Sequence, residues 1–139
     1  MTVKIVIDST TDIPPETIRA LGLHVVPLSV IFGNDSYLDG VEMQAPEFYR
    51  RLTTENVFPT TSQPSPGSFE EKYREVLETS DGVVSIHLAS KLSGTYASAI
   101  QAKSQMGSDG EAIRVVDSQT ASMATGLIVL AAAEAAERG

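Results

Sequence analysis

The sequence predicts an α/β sandwich built on a parallel sheet, and three observations carry that prediction. The runs Val3–Ile7, Gly82–Leu88 and Ala112–Asp117 are rich in Val and Ile with little polar alternation, the pattern of strands buried on both faces. Segments with apolar residues at helical spacing separate them, and Gly, Pro, Ser and Thr gather at the joints. Strands that alternate with helices in this way form parallel sheets with helices packed on their faces.

Val3–Ile7 ends at Asp8 and forms the first strand. Pro14 and Pro15 then lead into a short helix through Glu16–Leu21, and Gly22 stands where a C′ residue ends it. Leu23–Phe32 is a second strand region, interrupted by Pro27. Gly33-Asn34-Asp35 makes the turn of a hairpin that returns through Ser36-Tyr37-Leu38. Ala45–Leu52 reads as a helix, because Glu47 in its first turn and Arg50 and Arg51 in its last suit the helix dipole. Thr53–Pro66 is rich in Thr, Ser and Pro and is expected to be mostly loop. The next helix has Ser65 as N-cap, Pro66 at N1, and Phe69, Tyr73, Val76 and Leu77 at helical spacing.

Gly82–Leu88 is another strand, and Ser93–Met106 is a helix that Ser93 is placed to cap. Ala112–Asp117 closes the set of strands; its Val-Val-Asp-Ser-Gln-Thr echoes the Val-Ile-Asp-Ser-Thr-Thr at the end of the first. The last helix, Met123–Arg138, is apolar around most of its early turns, and such a helix needs neighbours on more than one side. Either it is central in this domain, or the chain is the front half of a larger protein.

Composition excludes several functions. With 139 residues and 42% of them apolar, the chain is expected to form one globular domain, residues 1–139, with no room for a second. A formal charge of -8 without any run of basic residues argues against nucleic-acid binding. There is no Cys, so disulfides, thiolate nucleophiles and Cys-ligated metals are excluded, and His24 and His87 show no metal-binding spacing. No metal or other cofactor is expected. The start lacks a signal-peptide pattern, and the longest apolar run, Gly126–Ala133, is far short of a membrane span. The expectation is a cytoplasmic protein with no integral membrane segment.

Three hydroxyl-rich turns stand out: Asp8-Ser9-Thr10-Thr11, Thr60-Thr61-Ser62-Gln63-Pro64-Ser65 and Ser90-Lys91-Leu92-Ser93-Gly94-Thr95. Two follow β-branched runs and one opens a helix, so all three are candidates to present hydroxyls and free amides to one small anion. In parallel sheets ligands collect at the carboxyl ends of strands, where Asp8, the loop after Leu88, and Asp117 lie. The two aspartates read as turn-capping carboxylates satisfied by backbone N–H groups. His87, inside an apolar strand, reads as a core histidine.

Four segments together resemble the DegV family: Asp8-Ser9-Thr10-Thr11-Asp12-Ile13-Pro14, Pro59-Thr60-Thr61-Ser62-Gln63-Pro64-Ser65, Leu92-Ser93-Gly94-Thr95-Tyr96 and Val116-Asp117-Ser118-Gln119-Thr120-Ala121-Ser122. They span the chain in the family's order. The resemblance implies a DegV-like amino-terminal domain, in a family whose members are about twice this length, so that a second domain is missing here. It further implies a long-chain fatty acid in a tunnel between two α/β domains. The carboxylate would be held by Thr61 and Ser93, with Ser62 and the Gly94 amide as neighbours. The implied role is not enzymatic: the protein holds the acid and presents it to a partner fatty acid kinase catalytic subunit.

Two other readings compete with that one. Ser93 at a strand-to-helix turn invites comparison with a hydrolase nucleophile, but Lys91-Leu92-Ser93-Gly94-Thr95 lacks the Gly-x-Ser-x-Gly frame and no downstream His is available as base. A small α/β transferase or hydrolase acting on a phosphorylated or carboxylated metabolite is the alternative. The third reading is a structural domain whose last helix drives self-association. Gly94 has a physical reason of its own, since a residue without Cβ lets a ligand oxygen approach the backbone.

Overall fold

The computed structural model describes residues 1–139. In chain order the elements are β1 (Val3–Asp8), α1 (Pro15–Ala20), β2 (His24–Val26), β3 (Ser29–Phe32), β4 (Asp35–Leu38), α2 (Ala45–Thr54), β5 (Thr60–Ser62), α3 (Pro66–Leu77), β6 (Gly82–His87), α4 (Thr95–Gln105), β7 (Ile113–Asp117) and α5 (Ser122–Arg138). A short 3-10 segment, Gly107–Ala112, joins α4 to β7.

The β-branched runs pair as expected into a parallel sheet of order β2-β1-β6-β7. Pro27 divides the predicted Leu23–Phe32 strand between two sheets, because β2 joins β1 whereas β3 pairs antiparallel with β4. A further difference lies in Thr53–Pro66, predicted as loop. There Thr60–Ser62 pairs antiparallel with β3, making a small sheet of order β4-β3-β5. Thr-Thr-Ser carries no apolar pattern of its own; the strand exists because β3 offers it backbone partners.

Helices cover both faces of the parallel sheet. On one, α3 and α4 pack Phe69, Tyr73, Val76 and Ala99 against Val6, Val83 and Ile113. On the other, Val129 and Ala133 of α5 meet Ile5, Ile7 and Ile86, with Ile18 and Leu21 of the α1 region alongside. Full burial of each such aliphatic or aromatic side chain stabilises the fold by roughly 1.5–3 kcal/mol. Local signals agree with the packing. The Ser65 hydroxyl accepts from the Ser68 amide at 3.1 Å as the N-cap of α3, and Gly22 adopts φ +59° just beyond α1.

α5 is buried along Thr125, Gly126, Val129 and Ala133 only, while Leu127 is 62% exposed and Met123 and Ile128 also face outward. The chain order places α1's crossover on one side of β1 and the return to β6 on the other. The topological switch point therefore falls between the carboxyl ends of β1 and β6, where ligands of such sheets gather.

Candidate functional site

Of the three candidate turns, the first has its Asp8, Ser9 and Thr10 side chains hydrogen-bonded within the protein. Asp8 is completely buried, and its Oδ1 accepts from the Thr10 amide at 2.8 Å and the Thr10 hydroxyl at 2.5 Å. The Ser9 hydroxyl accepts from the Leu28 amide at 3.0 Å. Burial also pushes the nearby Asp39 carboxyl up, with the charges of Asp12 and Asp8 adding to it against a hydrogen bond from Ser9. A second carboxylate here would meet like charge.

The second turn is open. Thr61 and Ser62 are exposed on β5, where their backbones are held by register with Val30 and Ser29 and their hydroxyls enter no side-chain hydrogen bond. At the third turn, the helix begins one residue later than predicted from a Ser93 cap. Gly94 is the N-cap of α4, and the Ser93 hydroxyl instead accepts from the Thr95 amide at 3.2 Å and shares a 2.9 Å hydrogen bond with the Thr95 hydroxyl. Ser93 and Thr95 thus form a local hydroxyl turn at the helix entrance. The next amides of α4 keep the unpaired hydrogens and partial positive charge of a helix start.

One contact joins the second and third turns. A Cβ on Gly94 would stand 2.8 Å from Nε2 and 3.1 Å from Cδ of Gln63, so the Gln63 side chain lies directly across Gly94. Thr61, Ser62, Ser93 and Gly94 thus belong to two segments that touch through Gln63. Sequence reading quoted Gln63 within its motif but gave it no role; its contact partner lies in a distant segment.

The first and third turns are linked through buried groups. Asp8 Oδ2 accepts from His87 Nδ1 at 3.0 Å and from the Leu88 amide at 3.2 Å. Beyond the imidazole, Nε2 lies 2.6 Å from the Ser85 hydroxyl, which also accepts from the Tyr73 hydroxyl at 2.7 Å. Burial pushes the Asp8 carboxyl up, and hydrogen bonds from His87 and Thr10 more than offset it, leaving it below the usual aspartate range. Burial likewise pushes the Tyr73 hydroxyl up to about 12. His87 is a core histidine, as expected. The expectation of an aspartate satisfied by backbone N–H groups is half of the account of Asp8, since its other donors are His87 and the Thr10 hydroxyl. The readable signal was Ser85-x-His87, two polar residues on one face of an apolar strand.

Ser85, His87 and Asp8 have the composition of a hydrolase triad, but all three are completely buried and Tyr73 occupies the open side of the serine oxygen. A substrate carbonyl has no approach to that hydroxyl. Asp117, in contrast, sits near the surface and accepts from the Ser90 amide at 3.1 Å and the Gln119 amide at 2.9 Å. The residues present no cluster of metal-ligating side chains, and no helix is long and apolar enough to cross a membrane.

Comparison with known proteins gives a consistent result. A family model described as "uncharacterised protein, DegV family" matches residues 2–139. A DegV domain-containing protein of Clostridium perfringens is 43% identical over 137 residues, which are 99% of this chain and 48% of that protein. Among solved structures, the chain is similar to a DegV family protein from Thermus thermophilus described for its fatty acid binding, with TM-score 0.89 and 42% identity over 100% of this chain and 49% of that one. It is also similar to DegV of Bacillus subtilis, a fatty acid binding protein, with TM-score 0.91 and 37% identity over 100% and 49% of the two chains. The chain spans about half the length of these relatives.

Proposed function

The chain belongs to the DegV family, and from that premise we propose that it binds a long-chain fatty acid by its carboxylate and presents it, in the cytoplasm, to a partner fatty acid kinase. The observation that carries this reading is the seating of Gln63 on Gly94, which brings the segment that carries the free hydroxyls of Thr61 and Ser62 against the start of α4. Thr61 and Ser93 then supply hydroxyl donors, Ser62 a neighbouring one, and Gly94 an amide at a helix end that favours negative charge. The carboxylate avoids the first turn because Asp8, Asp12 and Asp39 stand there.

The reading is one of binding rather than catalysis. The kinase supplies the phosphoryl-transfer chemistry, and this protein supplies shelter for the tail and placement of the head group. Exposed Leu92, beside Ser93, and Met123 and Leu127, on the outward face of α5, offer apolar surface for part of the tail. A tail of about 15 methylenes gains roughly 12 kcal/mol if wholly buried, about half of that if covered from one side, against an association cost of about 4–15 kcal/mol. This chain alone is therefore expected to bind weakly, with the other half of the family's length completing the enclosure.

Amide NMR titration with octanoate, below its micelle threshold, tests the reading against methyl octanoate as control. Acid-specific shifts at Thr61, Ser62, Ser93 and Gly94 are expected, and Thr61→Ala or Ser93→Ala should reduce them while preserving the fold. Identical responses to acid and ester would refute the assignment of a carboxylate site.

A further inference from the structure

The buried chain Asp8–His87–Ser85–Tyr73 is bonded into the first hydroxyl-rich segment, to the strand end that leads to the third, and to the helix that follows the second. Asp8 holds the first turn through the Thr10 amide and hydroxyl, and holds the start of the third through Leu88. From Leu88 the backbone runs directly to Ser93, pinned further by the Ala89 amide on the Thr120 carbonyl at 2.8 Å. At its far end the chain reaches Tyr73 on α3, the helix that begins as soon as the second turn ends. The His87 ring also packs edge-on against Phe69 of the same helix, with centroids 4.9 Å apart.

Counting hydrogens leaves one arrangement. Tyr73 gives its hydrogen to Ser85, so the single Ser85 hydrogen goes to His87 Nε2, which must be bare. The ring hydrogen is then on Nδ1, where Asp8 accepts it. Every buried side-chain polar atom has a partner in this scheme. Moving the ring hydrogen to Nε2 would take away the acceptor for the Ser85 hydrogen and leave Asp8 facing a bare nitrogen, and buried unpaired groups of this kind are costly.

We propose that Asp8 and His87 are positioning residues for the carboxylate site: the buried chain, with His87 as its Nδ1–H tautomer, fixes the α4 entrance and the start of α3 relative to one another, and so sets the spacing of Ser93 and Gly94 from Thr61 and Ser62. This rests on the head-group reading given above. The role is indirect, since completely buried groups cannot touch the ligand.

Two measurements on this chain test it. Nitrogen NMR of the His87 ring at neutral pH should show the Nδ1–H tautomer, and an Nε2–H ring would overturn the proton assignment and the proposal. In octanoate titrations, His87→Phe keeps a ring against Phe69 but removes both nitrogens. It should raise the octanoate needed for the Thr61, Ser93 and Gly94 shifts about tenfold while leaving the methyl octanoate response unchanged. His87→Asn, whose amide nitrogen stands near the Nδ1 position and can still give a hydrogen to Asp8, should recover most of that loss.

Should His87→Phe fail to fold, Ser85→Ala cuts the chain between α3 and His87 and is expected to weaken octanoate about threefold. Octanoate binding unchanged in the folded variants, while the unsubstituted chain still prefers acid to ester, would overturn the positioning role and leave the head-group reading standing. An unsubstituted chain that treats acid and ester alike would remove both.

Discussion

Val-Ile-Asp-Ser-Thr-Thr at the end of β1 and Val-Val-Asp-Ser-Gln-Thr at the end of β7 are nearly the same sequence, yet they do different work. Each aspartate accepts from the amide two residues ahead, at 2.8 Å for Asp8 and 2.9 Å for Asp117. Each also accepts an amide from the loop after β6, Leu88 in one case and Ser90 in the other. Both turns lean on adjacent residues of α5, where Ser118 shares a 2.9 Å hydrogen bond with Thr125 and the Thr11 carbonyl lies close over Gly126. The difference comes from the sheet. β1 is central and β7 is an edge, so Asp8 is sealed beneath α3 with His87 beside it while Asp117 stays near solvent. One motif makes a buried hub in the first place and a surface clasp in the second, and only strand order tells them apart.

The strongest attempt to break that contrast is a pair of substitutions. Asp8→Ala strands four donors, two of them buried, and is expected to cost about 3–5 kcal/mol, whereas Asp117→Ala should cost about 1 kcal/mol, both read from urea unfolding. Equal losses would mean that the two turns are equivalent after all. Gly126→Ala probes the shared support on α5. Its Cβ would lie 2.7 Å from the Thr11 carbonyl oxygen and 3.1 Å from Ile13 Cγ1, so the first turn or the helix must give. A net loss of about 1–2 kcal/mol is expected after the better helix propensity of Ala is counted, and a gain in stability would show that the contact is loose.

Acid is the mildest cut, because a protonated carboxyl still keeps oxygen to accept with. Asp8 in the folded protein lies below its unfolded value of 3.8, so its contribution is complete above that value and is lost as pH falls through the lower folded one. Asp117 is shifted in the same direction by hydrogen bonding from Ser90 and Gln119. The urea midpoint should therefore fall below about pH 4, and the fall should be shallower in Asp8→Asn than in Asp117→Asn. The reverse order would place the acid-sensitive group at the edge rather than the centre.

These contrasts mark what could be read from the sequence. The β-branched runs announce β1, β6 and β7 because a strand buried on both faces leaves its mark on every residue, and Ser65, Pro66 and Gly22 announce helix ends by the same local logic. Thr60–Ser62 gave no such mark, since its strand depends on β3. The Ser93 cap was misplaced by one residue because Ser93 and Thr95 settle the helix entrance between themselves. Motif order pointed to Thr61, Ser62, Ser93 and Gly94 as a group, and the Gln63 contact brings their two segments together. The Asp8–His87 pair was out of reach of local reasoning, its partners being 79 residues apart.

That separation has a consequence in time. β1 gains β2 on one side early, through the Val6–His24 register, but its other side is matched only when Gly82–His87 is available. At a synthesis rate of roughly 5–20 residues per second, an interval of 79 residues lasts roughly 4–16 s, during which β1 has one unpaired edge and Asp8 lacks its imidazole. The nascent protein must survive that wait with its central carboxylate in water, and the sheet closes over it only once His87 has been made.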